Sequence, residues 1–189
     1  ILAPILGSHV TFVTSEEAIR RSQNVLGQLD PVTINEVYHI RSITEKTKIY
    51  GVTGNPLTAT SSPLIHNKGY LKQHIDAVYL PIKAETIEEA IEFAEEVGIE
   101  GLSVTFPFKE TVLPNLDEIS SQTGEIGACN TILKKDDKWI GCNSDAPGFS
   151  RALLEFLGRR DLKRLRVSII GAGGAAKAIA HAVKELGGK

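Results

Sequence analysis

Apolar and polar positions along this chain change period repeatedly, and the changes mark its elements. Residues 10–13 form a short apolar run that suits a buried strand, and residues 15–21 open like a capped helix with acid in the first turn. Residues 26–31 read as a turn, and residues 32–43 as a second helix with Val32, Val37 and Ile40 apolar among polar neighbours. One strand and two helices cannot close a core, so residues 1–44 must lean on something else. From Thr47 the pattern becomes regular. Residues 48–53 are a strand broken by Gly54-Asn55-Pro56. A helix follows, with Ser62 as its N-cap and Pro63 at the first helical position. Residues 77–82 give the next strand, and residues 86–97 an amphipathic helix with a solvated Glu-rich face, closed by Gly98. Residues 101–106 are a third strand. Residues 130–133 and 139–142 flank a polar stretch and read as a β-hairpin. A turn centred on Asp136 sets Asn130 opposite Cys142. Residues 166–171 are a strand entering a glycine turn, followed by a helix with Ala178, Ile179, Ala182, Val183 and Leu186 on its apolar face. Alternating strand and helix predicts an α/β fold, a mostly parallel open sheet with helices on both faces.

Composition narrows the function classes. A chain of 189 residues buries a sizeable core, and its formal net charge of -2 creates no global attraction for nucleic acid or an anionic membrane. Two cysteines, Cys129 and Cys142, are too few for a disulfide scaffold, lack zinc-ligand spacing and read as free thiols. No metal site is expected. No apolar run approaches the roughly 20 residues that span a bilayer, and the N-terminus lacks the pattern of a secretory signal. These features point to a soluble, intracellular protein. The chain begins at Ile1 and contains no methionine, which reads as a piece of something longer.

The candidate chemistry is carried by a few strand ends. The run Leu102-Ser103-Val104-Thr105-Phe106-Pro107-Phe108-Lys109-Glu110 delivers one lysine after a Pro-bracketed turn, at the strand end where open α/β sheets place ligands. Lys109 reads either as a catalytic amine or as one half of a surface ion pair with Glu110. Gly141-Cys142-Asn143-Ser144-Asp145 delivers a carboxylate, and Asp145 reads either as its catalytic partner or as a helix cap. Together a lysine and an aspartate bind and polarise an alcohol, one taking the hydroxyl proton while the other holds the geometry. Thr105 and Asn130 are placed to orient further hydroxyls. Thr60 and Ser62, at a helix start, receive a carboxylate through hydroxyls and unpaired N–H groups, or Ser62 merely caps its helix. The string Gly171-Ala172-Gly173-Gly174-Ala175-Ala176 fits the Gly-x-Gly-x-x-Ala dinucleotide fingerprint, whose glycines let pyrophosphate approach a helix N-terminus.

Taken together, these residues resemble shikimate dehydrogenase. The family's Gly-Asn-Pro and Ser-x-Ser-Pro…His correspond to Gly54-Asn55-Pro56 and Thr60-Ser61-Ser62-Pro63…His66. Its Asn-Val-Thr-x-Pro-Phe-Lys-Glu corresponds to residues 103–110, its Gly-Ala-x-Asn-Thr to residues 127–131, and its Gly-x-Asn-Thr-Asp-x-x-Gly to residues 141–148. The glycine string is intact. The resemblance implies Lys109 and Asp145 as the catalytic pair, Thr60, Ser62, Thr105 and Asn130 as substrate ligands, and Gly171, Ala172, Gly173, Gly174 and Ala175 as NADP ligands. It further implies reversible NADPH-dependent reduction of 3-dehydroshikimate to shikimate. Thr60 stands where the family has serine, leaving room for quinate as well, and Ser103 stands where it has asparagine. A catabolic quinate/shikimate dehydrogenase and a non-catalytic hydroxy-acid-binding relative are the alternatives. Near the N-terminus, Gly7-Ser8 and Gly27-Gln28 resemble the end of a type I 3-dehydroquinate dehydratase barrel, whose Ser-Ala-Pro-Gly-Gln turn falls on Asn24, Val25, Leu26, Gly27 and Gln28. The organisation expected is a barrel remnant over residues 1–44, a substrate-binding and catalytic domain over 45–149, and the first strand–helix unit of a Rossmann-type NADP-binding domain over 150–189. That is the arrangement of a piece of a bifunctional dehydratase–dehydrogenase, cytoplasmic, or plastidic if the parent is from a plant.

Overall fold

The computed structural model describes residues 1–21, 28–57 and 60–189. Asn24, Val25, Leu26 and Gly27, which carry part of the dehydratase resemblance and of the expected turn, lie outside the described residues. The chain divides into two compact units, Ile1–Val52 with Thr58–Pro81, and Thr53–Leu57 with Ile82–Lys189.

The first unit contains α1 (Glu16–Arg20), α2 (Pro31–Glu36), most of β1 (Lys48–Gly54), α3 (Ser62–Gln73) and most of β2 (Ala77–Lys83), with β2 beside β1. The strand expected at residues 10–13 does not form, and Phe12 is 78% exposed. No strand runs alongside it among the described residues, so the Val10 N–H turns to the Ser8 Oγ instead. Ser15 does cap α1, its Oγ accepting from the Ala18 N–H at 3.1 Å. The helix expected over residues 32–43 is broken. Asp30 caps α2 at Thr33 with Pro31 in the first turn, but the helix stops before His39, which is left-handed, and a 3-10 turn follows at Ile40–Ser42. Packing explains the break. Ile34, Tyr38 and Ile43 are all buried, and a continuous helix would set Ile43 roughly 140° round from Tyr38.

Asn67 of α3 ties that helix to β2. Its Nδ2 donates to the Tyr79 carbonyl at 3.0 Å, and its Oδ1 accepts from the Tyr79 N–H at 2.8 Å, so one buried amide serves as the strand partner of one residue. The preceding residue, His66, stacks on the Tyr79 ring at 4.1 Å, with Tyr70 tilted against both His66 and Tyr50. Burial, and then Tyr50 and Tyr79, push the Tyr70 hydroxyl up to about 12, while burial holds the His66 imidazole below its ordinary value.

The second unit holds α4 (Ile87–Val97), β3 (Ile99–Val104), β4 (Glu118–Ile119), α5 (Ser121–Ile126), β5 (Thr131–Lys135), β6 (Lys138–Cys142), α6 (Asp145–Leu157) and α7 (Gly174–Glu185). Its strands run in the order β3-β5-β6-β4. β5 is antiparallel to both β3 and β6, and β4 is parallel to β6. The expected α/β class holds, with a sheet that is mixed rather than parallel throughout. α4 follows its local signals closely: Thr86 Oγ1 accepts from the Glu89 N–H, Gly98 closes the helix at φ 74°, and Ile87, Ala90 and Ala94 make one buried face. β3 starts at Ile99 and ends at Val104, earlier than expected, because the chain turns at Thr105.

The hairpin differs from expectation by one residue. Asp136 and Asp137 both take positive φ, 50° and 60°, so the turn has two central residues and pairs Lys135 with Lys138. Thr131, not Asn130, therefore faces Cys142. Both thiols are free, and burial pushes each above its ordinary value. A cluster of Ile126, Ala128, Ala146, Ala178 and Ala182 packs the end of α5 and the start of α6 against the middle of α7. The strand expected at residues 166–171 is also absent. The Val167 N–H donates to the Lys189 carbonyl, the Lys189 N–H donates to Leu165 just before the segment, and Ile170 is fully exposed. No described helix is long and apolar enough to cross a membrane.

Replacing Asn67 with Leu removes both of its buried hydrogen bonds to the Tyr79 backbone. Urea unfolding should show a loss of about 2–4 kcal/mol. A pH effect follows from His66. Its folded pKa lies below the unfolded value of about 6.5, so the unfolded chain binds the proton more readily. The resulting penalty is absent above that pH and grows as pH falls below it. Melting temperatures of the protein and of His66→Phe, compared from pH 8 to pH 5, should show the steeper acid decline in the unmodified chain.

Candidate functional site

β3 hands the chain to a tight turn. The Thr105 N–H donates to the Thr53 carbonyl at 2.9 Å, and the Thr105 carbonyl accepts from the Phe108 N–H at 2.9 Å. The turn comes so close to the end of β1 that a Cβ on Gly54 would lie 2.5 Å from Thr105 Cγ2 and 2.7 Å from the Phe106 carbonyl oxygen. Only glycine admits this approach. Phe108 is buried on the far side, and Lys109 follows it.

The backbone of Lys109 is held by a loop distant in sequence, its carbonyl accepting from the Cys129 N–H at 2.7 Å. Its Nζ reaches Asp145 Oδ2 at 2.6 Å, with the two side chains only 18% and 30% exposed. Asp145 Oδ1 accepts from Asn130 Nδ2 at 2.8 Å. The same Asn130 amide donates to Ser144 Oγ and accepts from the Ser144 N–H at 2.8 Å, which fixes its orientation. Lys109, Asp145 and Asn130 thus form one contact, and the pairing of Lys109 with Glu110 does not occur. Glu110 binds Lys177 of α7 instead.

Asp145 is the first residue of α6 rather than its cap. Ser144 holds the cap position without a side-chain bond, and Asn143, one residue earlier, supplies the capping oxygen, its Oδ1 accepting from the Ala146 N–H, so the Asp145 carboxylate is left for Lys109 and Asn130. A carboxylate in the first turn of a helix is also favoured by the helix dipole. Thr105 and Lys109 line a hollow of about 390 Å³ whose opposite wall is the turn Gly171, Ala172, Gly173, Gly174, Ala175 and Ala176.

That turn has the features of a phosphate cradle. Gly171 takes φ 118°, Gly173 precedes α7 with no side-chain cap, and Lys177 is the first residue whose N–H bonds back to the Gly173 carbonyl. The N–H groups of Gly174, Ala175 and Ala176 consequently have no intrahelical partner. These residues fit a dinucleotide's phosphates, and a Cβ on Gly173 would meet nothing within 4 Å. Gly174 has a second reason to be glycine, since a Cβ there would lie 2.7 Å from Lys109 Cβ.

Thr60 and Ser62 lie in the first unit. Ser62 is not the N-cap of α3 but its first residue. Ser61 holds the cap position, and its carbonyl already accepts from the Ile65 N–H. Thr60 Oγ1 accepts from the Ser62 N–H at 3.2 Å. Asn143, Ser144 and the Glu110–Lys177 pair are site-forming residues that the sequence reading missed. Asn143 had a usable signal, a capping side chain three residues before Ala146. Glu110 and Lys177, 67 residues apart, had none.

Residues 52–132 match the family described as the shikimate dehydrogenase substrate binding domain. The chain carries a substrate-binding domain of the shikimate dehydrogenase family. Thr60, Ser62, Thr105, Lys109 and Asn130 fall inside the matched span of this shikimate dehydrogenase domain, while Asp145 and the glycine turn lie beyond it. Among curated relatives, the NADP(+) shikimate dehydrogenase of Nostoc sp. is 40% identical over 147 residues, covering 77% of this chain and 50% of that protein. Among solved structures, shikimate dehydrogenase from Aquifex aeolicus superposes with a TM-score of 0.73 at 34% identity, covering 78% of this chain and 55% of that one. The Thermus thermophilus shikimate 5-dehydrogenase, solved in complex with NADP(H) and shikimate, has a TM-score of 0.64 at 33% identity, covering 74% of this chain and 52% of that one. The chain spans about half the length of the curated relatives it matches.

Gly174→Ala should force α7 away from the Lys109 turn and cost about 1–3 kcal/mol in chemical unfolding. Gly173→Ala, which meets nothing, should cost less than about 1 kcal/mol.

Proposed function

We propose that this chain is part of an NADP-dependent shikimate dehydrogenase, an enzyme that interconverts 3-dehydroshikimate and shikimate and needs more than these residues for turnover. The observation that carries the reading is the Lys109–Asp145 contact at 2.6 Å, on the rim of a hollow whose other wall is a glycine turn suited to phosphates. The names of the relatives, and the shikimate and NADP(H) bound in one of the solved structures, support the choice of substrate and cofactor. In this reading residues 45–149 bind substrate and residues 150–189 begin the cofactor-binding part.

Oxidation of a secondary alcohol removes a hydride from carbon and a proton from oxygen. NADP, when bound, supplies the hydride acceptor. The Lys109–Asp145 pair handles the proton: the amine takes it from the substrate hydroxyl, and the carboxylate stabilises and orients the ammonium that results. In the reducing direction the Lys109 ammonium donates to the carbonyl oxygen and returns the proton as the alcohol forms. Asn130 holds the carboxylate, while Asn130 and Thr105 orient neighbouring hydroxyls. Thr60 and Ser62, at the start of α3, receive the substrate carboxylate. Gly171, Ala172, Gly173, Gly174 and Ala175 hold the dinucleotide phosphates through backbone N–H groups at the helix N-terminus. The methyl of Thr60 alters the fit around the substrate carboxylate, which makes quinate the alternative acid.

Isothermal titration with shikimate tests this directly. Saturable binding is expected, weakened about tenfold by Ser62→Ala, the factor of one hydrogen bond to a charged carboxylate. A parallel titration with quinate measures the preference between the two acids. A folded protein that binds neither acid would refute the substrate assignment.

A further inference from the structure

Asn143 is buried, 4% exposed, and both ends of its amide are used. Nδ2 donates to the Ala128 carbonyl at 2.8 Å, and Oδ1 accepts from the Ala146 N–H at 3.2 Å. The first bond reaches the loop before β5 and the second the start of α6. Ala128 adjoins Cys129, whose N–H binds the Lys109 carbonyl, and Ala146 adjoins Asp145, whose carboxylate binds the Lys109 ammonium. The contacts close a ring that runs from the Lys109 backbone through Cys129, Ala128, Asn143 and Asp145 to the Lys109 side chain. Asn143 is the one side chain in that ring whose amide bonds both the loop and α6 without touching Lys109.

A helix cap alone needs only an acceptor, which Ser, Thr or Asp supplies as well as Asn. The Ala128 carbonyl needs a donor too, and among those four side chains only the amide carries donor and acceptor on two separate atoms, one for each side of this gap. The second function of Asn143 therefore lies outside helix capping. It sets the distance between the loop that holds the Lys109 backbone and the helix that carries the Asp145 carboxylate.

We propose that Asn143 is a positioning residue that holds Lys109 and Asp145 in contact by bridging the Ala128 carbonyl to the N-terminus of α6. The catalytic meaning of that contact rests on the function proposed above, but the positioning itself does not. Asn130 cannot substitute, because its amide is already spent on Ser144 and on the Asp145 carboxylate.

Asn143→Ser keeps a neutral capping oxygen and removes the amide N–H that reaches the Ala128 carbonyl, because one shorter hydroxyl cannot meet both partners where two separate amide atoms do. Lysine acylation, read residue by residue by mass spectrometry, reports how tightly each amine is held. In the Ser variant the acylation rate of Lys109 should rise roughly fivefold or more, the factor that one net hydrogen bond represents. Lys134 and Lys138, paired with Glu95 and Glu118 elsewhere in the unit, should keep their rates. A purely structural loss would raise all three together, and a Lys109 rate within twofold of the unmodified protein would overturn the proposal. Should the variant fail to fold, side-chain amide exchange in the unmodified protein decides. The Asn143 Nδ2 protons should be protected as strongly as the Cys129 N–H, and fast exchange would overturn the bridge. The shikimate titration separates the two readings. Failure of shikimate to bind, with Lys109 responding to Asn143→Ser, defeats the substrate assignment and leaves the positioning role. Binding without that response defeats the positioning role alone.

Discussion

An ammonium and a carboxylate 36 residues apart in sequence meet at 2.6 Å with most of their surface withdrawn from water, and the second unit is arranged so that they do. Such a pair adds little net stability, because the cost of desolvating two charges offsets much of their attraction. It persists because its surroundings leave neither group another partner of equal quality. The Asp145 carboxylate has one oxygen on Lys109 and one on Asn130, and Lys109 is fixed at its backbone by Cys129. The neighbouring charge is removed from competition as well, since Glu110 is occupied by Lys177.

Close backbone approach makes that arrangement reachable. Gly54 lets the end of β1 lie against Thr105 and Phe106, and Gly174 lets the start of α7 lie against the Lys109 side chain. A side chain at either position would push the lysine turn away from an element that borders it. Gly174 therefore serves two demands at once: its N–H belongs to the unpaired set at the helix N-terminus, and its missing Cβ makes room for Lys109.

Where local rules sufficed, the elements formed as the chain's pattern implies. Thr86, the face of Ile87, Ala90 and Ala94, and Gly98 define α4 through contacts within a few residues. Strands obey a different condition, because their hydrogen bonds must be met by another segment. The apolar runs at residues 10–13 and 166–170 carry strand-like residues but find no continuous partner, and their main chain stays irregular. The hairpin formed, yet its register shifted by one residue, since the left-handed geometry of both Asp136 and Asp137 sets the pairing. The helix over residues 32–43 broke for a third reason, the need to bury Ile43 on the same side as Tyr38.

The sequence by itself determined where the candidate side chains stand along the chain. Lys109 after a strand, Asp145 after a hairpin and the glycine string before a helix are all visible from spacing, because strand ends, caps and turns depend on interactions over a few residues. Tertiary structure alone decided whom each of these groups meets. Lys109 takes Asp145 rather than its neighbour Glu110, Glu110 takes Lys177, and Asn143 rather than Asp145 supplies the capping oxygen of α6. Charge pairing and hydrogen bonding fall off with distance through space, and those distances are set by how β3, the hairpin, α6 and α7 pack, not by their separation along the chain.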